Sequence, residues 1–193
     1  MLFLANLLRD KGIFDAVDAL ALANAQLAAE GRKIRLHLTV AGAFPEGGEE
    51  REFNERIKAP DVAGKVDSLG FINSAQKAEY LTKCDCLCFP TYYHAEGAAL
   101  VVIEGMAAGM AIVTTRWRAL PDLLPEGYPG LVPIRQPAQV AAALITALTE
   151  DATSLRDTFI ERFTELVHLQ HLQDALLTLQ SEEPPVGGTP APA

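Results

Sequence analysis

Apolar residues in this chain recur with two periods, and the alternation between them predicts the architecture. Short apolar runs suited to buried strands occupy Leu2 to Leu7, Ile34 to Ala43, Val66 to Phe71, Cys84 to Pro90, Ala111 to Thr115 and Gly130 to Ile134. Between them lie segments with helical character. The longest is Ile13 to Ala29, where Phe14, Val17, Leu20, Leu22 and Leu27 are available to pack and Gly31 ends the helix. Shorter helices are expected over Arg51 to Ala59, whose charges read as a solvated face, and after Asn73 and Ser74, which cap a helix carrying Ala78, Tyr80 and Leu81. Pro137 to Thr149 is a helix with proline in its first turn, and Asp151 to Gln180 is leucine-rich helix. Strands alternating with helices imply right-handed crossovers, so the fold class is α/β, a parallel sheet with helices on both faces. The first strand starts at the second residue, which predicts that the chain is the later part of something longer. Residues 1–180 are expected to form one domain, and the tail 181–193, SEEPPVGGTPAPA, to be disordered.

One run departs from the alternation. In Glu96 to Thr115, EGAALVVIEGMAAGMAIVTT, Glu104 is the only charge between Gly97 and Thr115. A carboxylate in so apolar a run is costly unless something pairs with it. A membrane span is excluded by that central acid, which would cost roughly 2.5–3.5 kcal/mol at mid-bilayer, by three glycines and by the β-rich end. The pattern predicts a loop at Glu96-Gly97, a buried helix over about Ala99 to Ala108 ended by Gly109, and a buried strand. Glu104 then shares a helix side with Leu100, Val101, Ala107 and Ala108. It meets either a backbone donor or arginine, or a ligand; buried acids more often mark sites.

Composition narrows the partners. A chain of 193 residues fits one domain and is long enough to bury about 70% of its unfolded surface. A formal charge of −9 argues against a nucleic-acid partner and gives no long-range attraction for an anion. Any phosphate must therefore be held by helix N-termini and a few basic side chains. The three cysteines, Cys84, Cys86 and Cys88, alternate along one strand and would share a face. No second cysteine or histidine cluster completes a zinc site, so buried, reduced thiols in a cytoplasmic protein are expected. Met1 to Leu4 is apolar but lacks the positive region of a signal peptide.

In parallel α/β folds ligands sit beyond the C-terminal ends of the strands. Those ends are Asn6 to Gly12, Ala43 to Pro45, Phe71 to Asn73, Thr91 to Gly97 and Arg116 to Arg118, which hold most of the unusual residues in the chain. A helix starting at Gly97 leaves the N–H groups of Ala98, Ala99, Leu100 and Val101 free as an anion seat, with small residues that let a phosphate approach. Lys11 lies at another strand-to-helix turn. On its own it reads as a solvated lysine; beside that seat it gains a role as a point charge. His37 reads as a solvent-facing or satisfied strand residue, and His94 as an incidental loop histidine.

The run PTYYHAEGAALVVIEGMAAGMAIVTT resembles the signature of family 4 retaining glycosyltransferases of the GT-B fold: Glu, seven residues, Glu, then Met-Ala-x-Gly and an apolar strand ending in Thr. Two further pieces agree, in order and in spacing: LANLLRDKG resembles the family's first strand and its Lys-Gly turn, and KCDCLCFPT its acidic residue, apolar strand and Pro-Thr. The match covers about residues 2 to 150. The resemblance implies a Rossmann-like domain, the C-terminal, donor-binding half of a GT-B architecture. Glu96 would hold hydroxyls of the transferred sugar, and Gly97 to Val101 would offer backbone donors to the diphosphate and sugar. Glu104 would accept the ribose hydroxyls, and Lys11 would stabilise the departing diphosphate. The loop at Phe71 lies where the family holds the base. Many members carry arginine where this chain has Asn6, so one diphosphate contact is weakened or comes from Arg9. Gly105 replaces an alanine and costs a helix interior about 1 kcal/mol. No metal and no cofactor are implied, the nucleoside-diphosphate sugar being a substrate.

The function expected is transfer of a sugar from such a donor to an acceptor with retention of configuration, with the isolated half inactive. The acceptor would bind a missing N-terminal domain, through which alone any membrane association would run. The helices after Asp151 resemble the family's closing segment, which would leave leucines between Leu172 and Leu179 exposed in this chain alone. Two alternatives stay open: a non-catalytic or split-half nucleotide-sugar binding module, and a GT-B nucleotide-sugar epimerase, for which His94 is the local candidate.

Overall fold

The computed structural model describes residues 1–46, 48–147 and 153–181. Its centre is a parallel sheet of six strands: β1 (Leu2–Leu4), β2 (Leu38–Ala41), β3 (Val66–Ser68), β4 (Cys86–Phe89), β5 (Ala111–Thr115) and β6 (Leu131–Val132). Their order is β3-β2-β1-β4-β5-β6, every neighbouring pair parallel. From β1 the chain steps one way across the sheet to β2 and β3, and from β4 the other way to β5 and β6. Right-handed crossovers in opposite directions put α1 (Ile13–Ala29) and α4 (Leu100–Ala107) on opposite faces. The strand order reverses between β1 and β4, the place where folds of this kind hold ligands at the C-terminal strand ends. This is the Rossmann-like arrangement that the alternation and the resemblance lead one to expect.

The strands are shorter than their apolar runs, for local reasons. After Leu4 the chain keeps sheet-like bonds, Ala5 N–H to Ala41 O at 3.2 Å and Leu7 N–H to Ala43 O at 2.9 Å, but then coils into a 3-10 turn over Arg9–Lys11. β2 starts at Leu38 rather than Ile34 because buried Asn24 of α1 takes the backbone of Leu36, donating to its carbonyl at 3.0 Å and accepting from its N–H at 2.8 Å. Satisfying both groups from a helix side chain leaves that segment outside the sheet without stranding a buried polar group. His37, just before β2, is exposed and contacts Asp67 through Nε2 at 2.9 Å. The third run stops at Ser68, and Gly70, at φ 68°, turns the chain away.

β4 and β5 are buried along their whole length, as is expected of central strands covered on both faces. Phe3, Leu87, Ile112 and Val113 are buried in the core, Leu87 and Ile112 beneath α4. α6 (Pro137–Ala147) packs on α1, while α4 lies on β5 and meets α7 (Thr153–Arg162). Cys86 and Cys88 are buried, Cys84 falls just before the strand and is half-buried, and all three are free. Desolvation pushes the Cys86 thiol up to about 12 and Cys88 well above the ordinary thiol range. The single face expected of the cysteines does not make Leu87 a surface residue, because both faces of β4 are covered.

Three helices correct the sequence reading. α2 (Glu50–Arg56) is not a purely solvated face: Phe53 is fully buried, and Arg56 bridges Asp18 and Asp61 at 2.8 and 2.9 Å. α3 (Ser74–Lys83) begins with a full capping box between Asn73 and Gln76, buries Leu81 and half-buries Tyr80, but leaves Ala78 exposed. The leucine-rich helix is two, α7 and α8 (Glu165–Ser181), parted at Phe163 and Thr164, whose hydroxyl accepts from Val167 N–H at 3.4 Å. On α8, Leu166, Leu169, Leu172, Leu176, Leu177 and Leu179 are exposed. Between β5 and β6 lies a short α5 (Leu120–Leu123) with proline in its first turn. Of the tail expected to be disordered, 181–193, Ser181 is instead the last residue of α8, and 182–193 lie outside the described residues. Among the described residues no helix is long and apolar enough to cross a membrane.

Candidate functional site

The crevice between β1 and β4 is built by two turns that touch. Gly12 adopts φ 84°, and a Cβ there would lie 2.2 Å from the Pro90 carbonyl oxygen, so only glycine lets the β1 turn lie against the end of β4. Tyr92 N–H donates to Asp10 O at 2.7 Å and locks the two together. That contact carries Lys11 across to Glu96: Nζ and Oε2 are 2.8 Å apart, with the side chains 15% and 7% exposed. Thr91 Oγ1 also donates to the same carboxylate oxygen at 2.8 Å, and Lys11 lies 4.3 Å above the Tyr93 ring. The loop is pinned from β5 as well, by Trp117 Nε1 donating to Tyr93 O at 2.7 Å and by the Thr115 hydroxyl bonding Thr91 O. Lys11 is thus held in a nearly desolvated pair, and the reading of it as a solvated lysine is overturned.

From Glu96 the chain enters α4 through Gly97, Ala98 and Ala99. Among the described residues the N–H groups of Ala98, Ala99, Leu100 and Val101 have no backbone acceptor; the first bond of the turn is Val102 N–H to Ala99 O at 2.9 Å. Ala99 is the N-cap and supplies no side-chain acceptor. Gly97 and Ala98 are exposed, and a Cβ added at Gly97 would meet nothing within 4 Å. The result is an open row of amide donors at the positive end of a helix, next to Lys11 and Glu96.

Glu104 needs correction. α4 is not buried all round: Leu100 is exposed, and Val101, Ile103 and Glu104 are half-buried. The carboxylate stands on the rim facing α3, 34% exposed, and its Oε1 accepts from Lys77 Nζ at 2.6 Å. The apolar stretch around it reflects the sheet-facing side of the helix, Val102, Gly105 and Met106, and not the surroundings of residue 104 itself. Gly105 has a packing reason, because a Cβ there would sit 3.2 Å from Leu87 Cδ2 and 3.5 Å from Ile112 Cδ1. Helix propensity is given up to seat α4 on β4 and β5.

The remaining expected residues lie nearby with different surroundings. Phe71 is 83% exposed at the end of β3. Asn6 is exposed after β1. Arg9 is already occupied: its guanidinium bridges Glu49 and Glu52 and stacks 4.2 Å over Phe14, and the hydrogen bonds to Glu52 and Glu49 push its pKa further up. It lines a cavity of about 460 Å³ with Leu7, Asp10, Tyr92 and Arg135 on the other side of the turn. Arg135, at φ 55°, lies over the Tyr92 ring at 4.6 Å, and buried Asp15 Oδ2 behind them has no partner among the described residues. Burial, with Asp18 adding to it, raises the Asp15 pKa. His94 is exposed, and its ring contact is the edge of Tyr93 at 4.9 Å.

Sequence reasoning missed Lys77, Thr91, Tyr93 and Trp117. Thr91, Tyr93 and Trp117 lie in the two loops flagged as ligand-edge segments, but their bonds run between loops, which no local pattern shows. Lys77 carried no signal beyond being in the first turns of a helix.

A six-stranded parallel sheet with an amide row and a lysine–glutamate pair at its switch point defines a Rossmann-like domain. Residues 1–165 match the Glycosyl transferases group 1 family, and the chain belongs to that family. It is 37% identical over 122 residues to a phosphatidyl-myo-inositol mannosyltransferase of Mycolicibacterium smegmatis, covering 63% of this chain and 30% of that protein. It is 25% identical over 180 residues to the putative colanic acid biosynthesis glycosyltransferase WcaL of Salmonella typhimurium, covering 91% and 42%. Among solved structures, HepE of Anabaena in complex with UDP superposes with a TM-score of 0.76 at 20% identity, over 92% of this chain and 48% of that one. The C-terminal domain of a glycosyl transferase group 1 family protein, LpcC of Francisella tularensis, superposes with a TM-score of 0.72 at 18% identity, over 85% and 86%. The chain spans about a third of the length of the mannosyltransferase and about half of HepE. The fold is therefore that of one Rossmann-like half of a GT-B glycosyltransferase.

Proposed function

We propose that this chain is the donor-binding domain of a retaining glycosyltransferase of the family 4 type, holding a nucleoside-diphosphate sugar at the crevice between β1 and β4. The observation that carries this reading is the desolvated Lys11–Glu96 pair beside the free amides of Ala98 to Val101. The diphosphate lies on the amide row with Lys11 at its edge, and Glu96 accepts from hydroxyls of the sugar. Glu104 takes the ribose and Phe71 flanks the base, with Asn6 at the mouth; Arg9, tied to Glu49 and Glu52, is a weaker candidate. As the bond between the anomeric carbon and the diphosphate oxygen breaks, negative charge grows on that oxygen. Lys11 and the helix N-terminus stabilise it where it forms. The acceptor oxygen bonds the anomeric carbon on the same face and passes its proton to the departing diphosphate oxygen.

The acceptor is held by an N-terminal domain supplied by residues outside this sequence, and any membrane association runs through that domain. The reading calls for no resident cofactor or metal, since Lys11 and the amides supply the countercharge. Residues 1–180 act as the donor unit of a cytoplasmic enzyme.

Calorimetric titration with UDP, GDP and ADP tests this. At least one is expected to bind with millimolar or better affinity, and Lys11→Ala and Glu104→Ala are each expected to weaken that binding about tenfold or more. No binding of any of the three, with Glu104→Ala making no difference, overturns the assignment.

A further inference from the structure

Among the described residues two that are not glycine have positive φ, and both are arginine: Arg118 at 51° and Arg135 at 55°. An L side chain in that region costs backbone energy that glycine avoids. Arg118 occupies the first central position of a turn closed by Leu120 N–H to Trp117 O at 3.1 Å, with Ala119 at φ −80° after it. A positive φ at that position is ordinarily supplied by glycine. Arg135 lies between β6 and α6, two residues ahead of Pro137. Neither turn needs an arginine for its backbone, so the strain points to a use for the side chain.

The two turns follow β5 and β6, neighbouring strands joined at their ends by Thr115 opposite Val132 and by Arg116 N–H donating to Val132 O at 2.7 Å. The loop at Tyr92 and Tyr93 meets both. Arg135 lies over the Tyr92 ring at 4.6 Å, and Arg118 at 5.3 Å over Trp117, whose Nε1 donates to Tyr93 O. A ring beneath a guanidinium steadies it without consuming its N–H donors. Arg116, Arg118 and Arg135 are exposed, and among the described residues none of them forms an ion pair. Buried Asp15 feels Arg135 as a charge without reaching ion-pair distance. Arg9, Arg51 and Arg56, by contrast, are each tied to acids. In a chain of formal charge −9, three arginines free of acids at adjacent strand ends are a local reversal of sign. Arg135 also forms one wall of the cavity of about 460 Å³ beside Tyr92, which has room for a small polar group.

We propose that Arg116, Arg118 and Arg135 form an anion site at the ends of β5 and β6, built from other residues than the amide row of α4, which takes a phosphate ester carried by the acceptor of the sugar. Guanidiniums present paired N–H donors that match phosphate oxygens, and several together satisfy more of those oxygens than one lysine could. Naming the carrier as the acceptor rests on the donor-site reading; the anion site does not.

The test on the full chain uses calorimetry with sn-glycerol 1-phosphate, a soluble phosphate ester, and flotation with phosphatidylcholine vesicles with and without phosphatidylglycerol. At least one of the two phosphate sources is expected to bind, more weakly as salt rises, and which one binds tells a soluble ester from a lipid headgroup. Arg118→Gly and Arg135→Gly are each expected to weaken that binding about three- to tenfold. Their melting temperatures are expected to equal or exceed that of wild type, because glycine accepts the positive φ. UDP affinity is expected to stay within about threefold in both variants, since exposed charges out of contact with the nucleotide are screened. No binding of either source, binding unchanged in both variants, or a loss of UDP affinity as large as the phosphate loss overturns the proposal. Lower melting temperatures in both variants assign the arginines to folding and overturn it as well. If wild type binds a phosphate source but no nucleotide, the donor-site reading fails and the anion site stands.

Discussion

Glu96 and Glu104 lie on one loop-and-helix segment, eight residues apart, and the fold treats them in opposite ways. Glu96 is nearly buried and takes Lys11 and Thr91 on a single oxygen, in a knot that joins the ends of β1, β4 and β5. Glu104 stands half in solvent, one turn into α4, bonded to Lys77 of a neighbouring helix. The first is part of the framework that joins the strand ends; the second is a partly exposed contact between two helices. An acid can therefore be essential to a site through burial or through availability, and the two predict different consequences when it is removed.

Removing Glu96 is the largest perturbation. Glu96→Ala leaves Lys11 nearly buried without its counter-charge, and breaking such a pair costs about 3 kcal/mol. Chemical denaturation is expected to show that loss, and a midpoint unchanged from wild type would mean that the pair is no part of the framework. Next comes the contact that brings the two turns together. Gly12→Ala places a side chain at φ 84° and 2.2 Å from a backbone oxygen, and should destabilise by at least about 2 kcal/mol. It should also weaken nucleotide binding, because Lys11 is pushed away from Glu96. Stability held with binding lost would separate the roles of the turn. The smallest effect on folding belongs to the rim. Glu104→Ala should change stability by less than about 1 kcal/mol while affecting binding as described above. If it destabilises as much as Glu96→Ala, the contrast between the two carboxylates is wrong.

Much of this was legible in the residues. The α1 boundaries Ile13 and Ala29 and the β5 boundaries Ala111 and Thr115 coincide with the apolar pattern, because a long amphipathic helix and a fully buried strand both carry strong periodicity. The Asn73 cap was equally plain, since its side chain acts within three residues of itself. Ile34 to His37 failed as strand for a reason the pattern does not contain, namely a bond to Asn24 from another element. The burial of Glu104 was misjudged because its neighbours in sequence point at the sheet while it points at α3. Gly105 read as a cost in helix propensity, and the reason for it, the Leu87 and Ile112 side chains beneath α4, lies across the core.

The sequence alone determined the α/β alternation and the family signature from Glu96 to Thr115, because periodicity and motif spacing are local properties of the chain. Tertiary structure decided which charges meet. Lys11 reaches Glu96 from 85 residues away and Lys77 reaches Glu104 from 27. Those pairings follow from the order of strands in the sheet and from one glycine that lets two turns touch, and no local pattern encodes either distance.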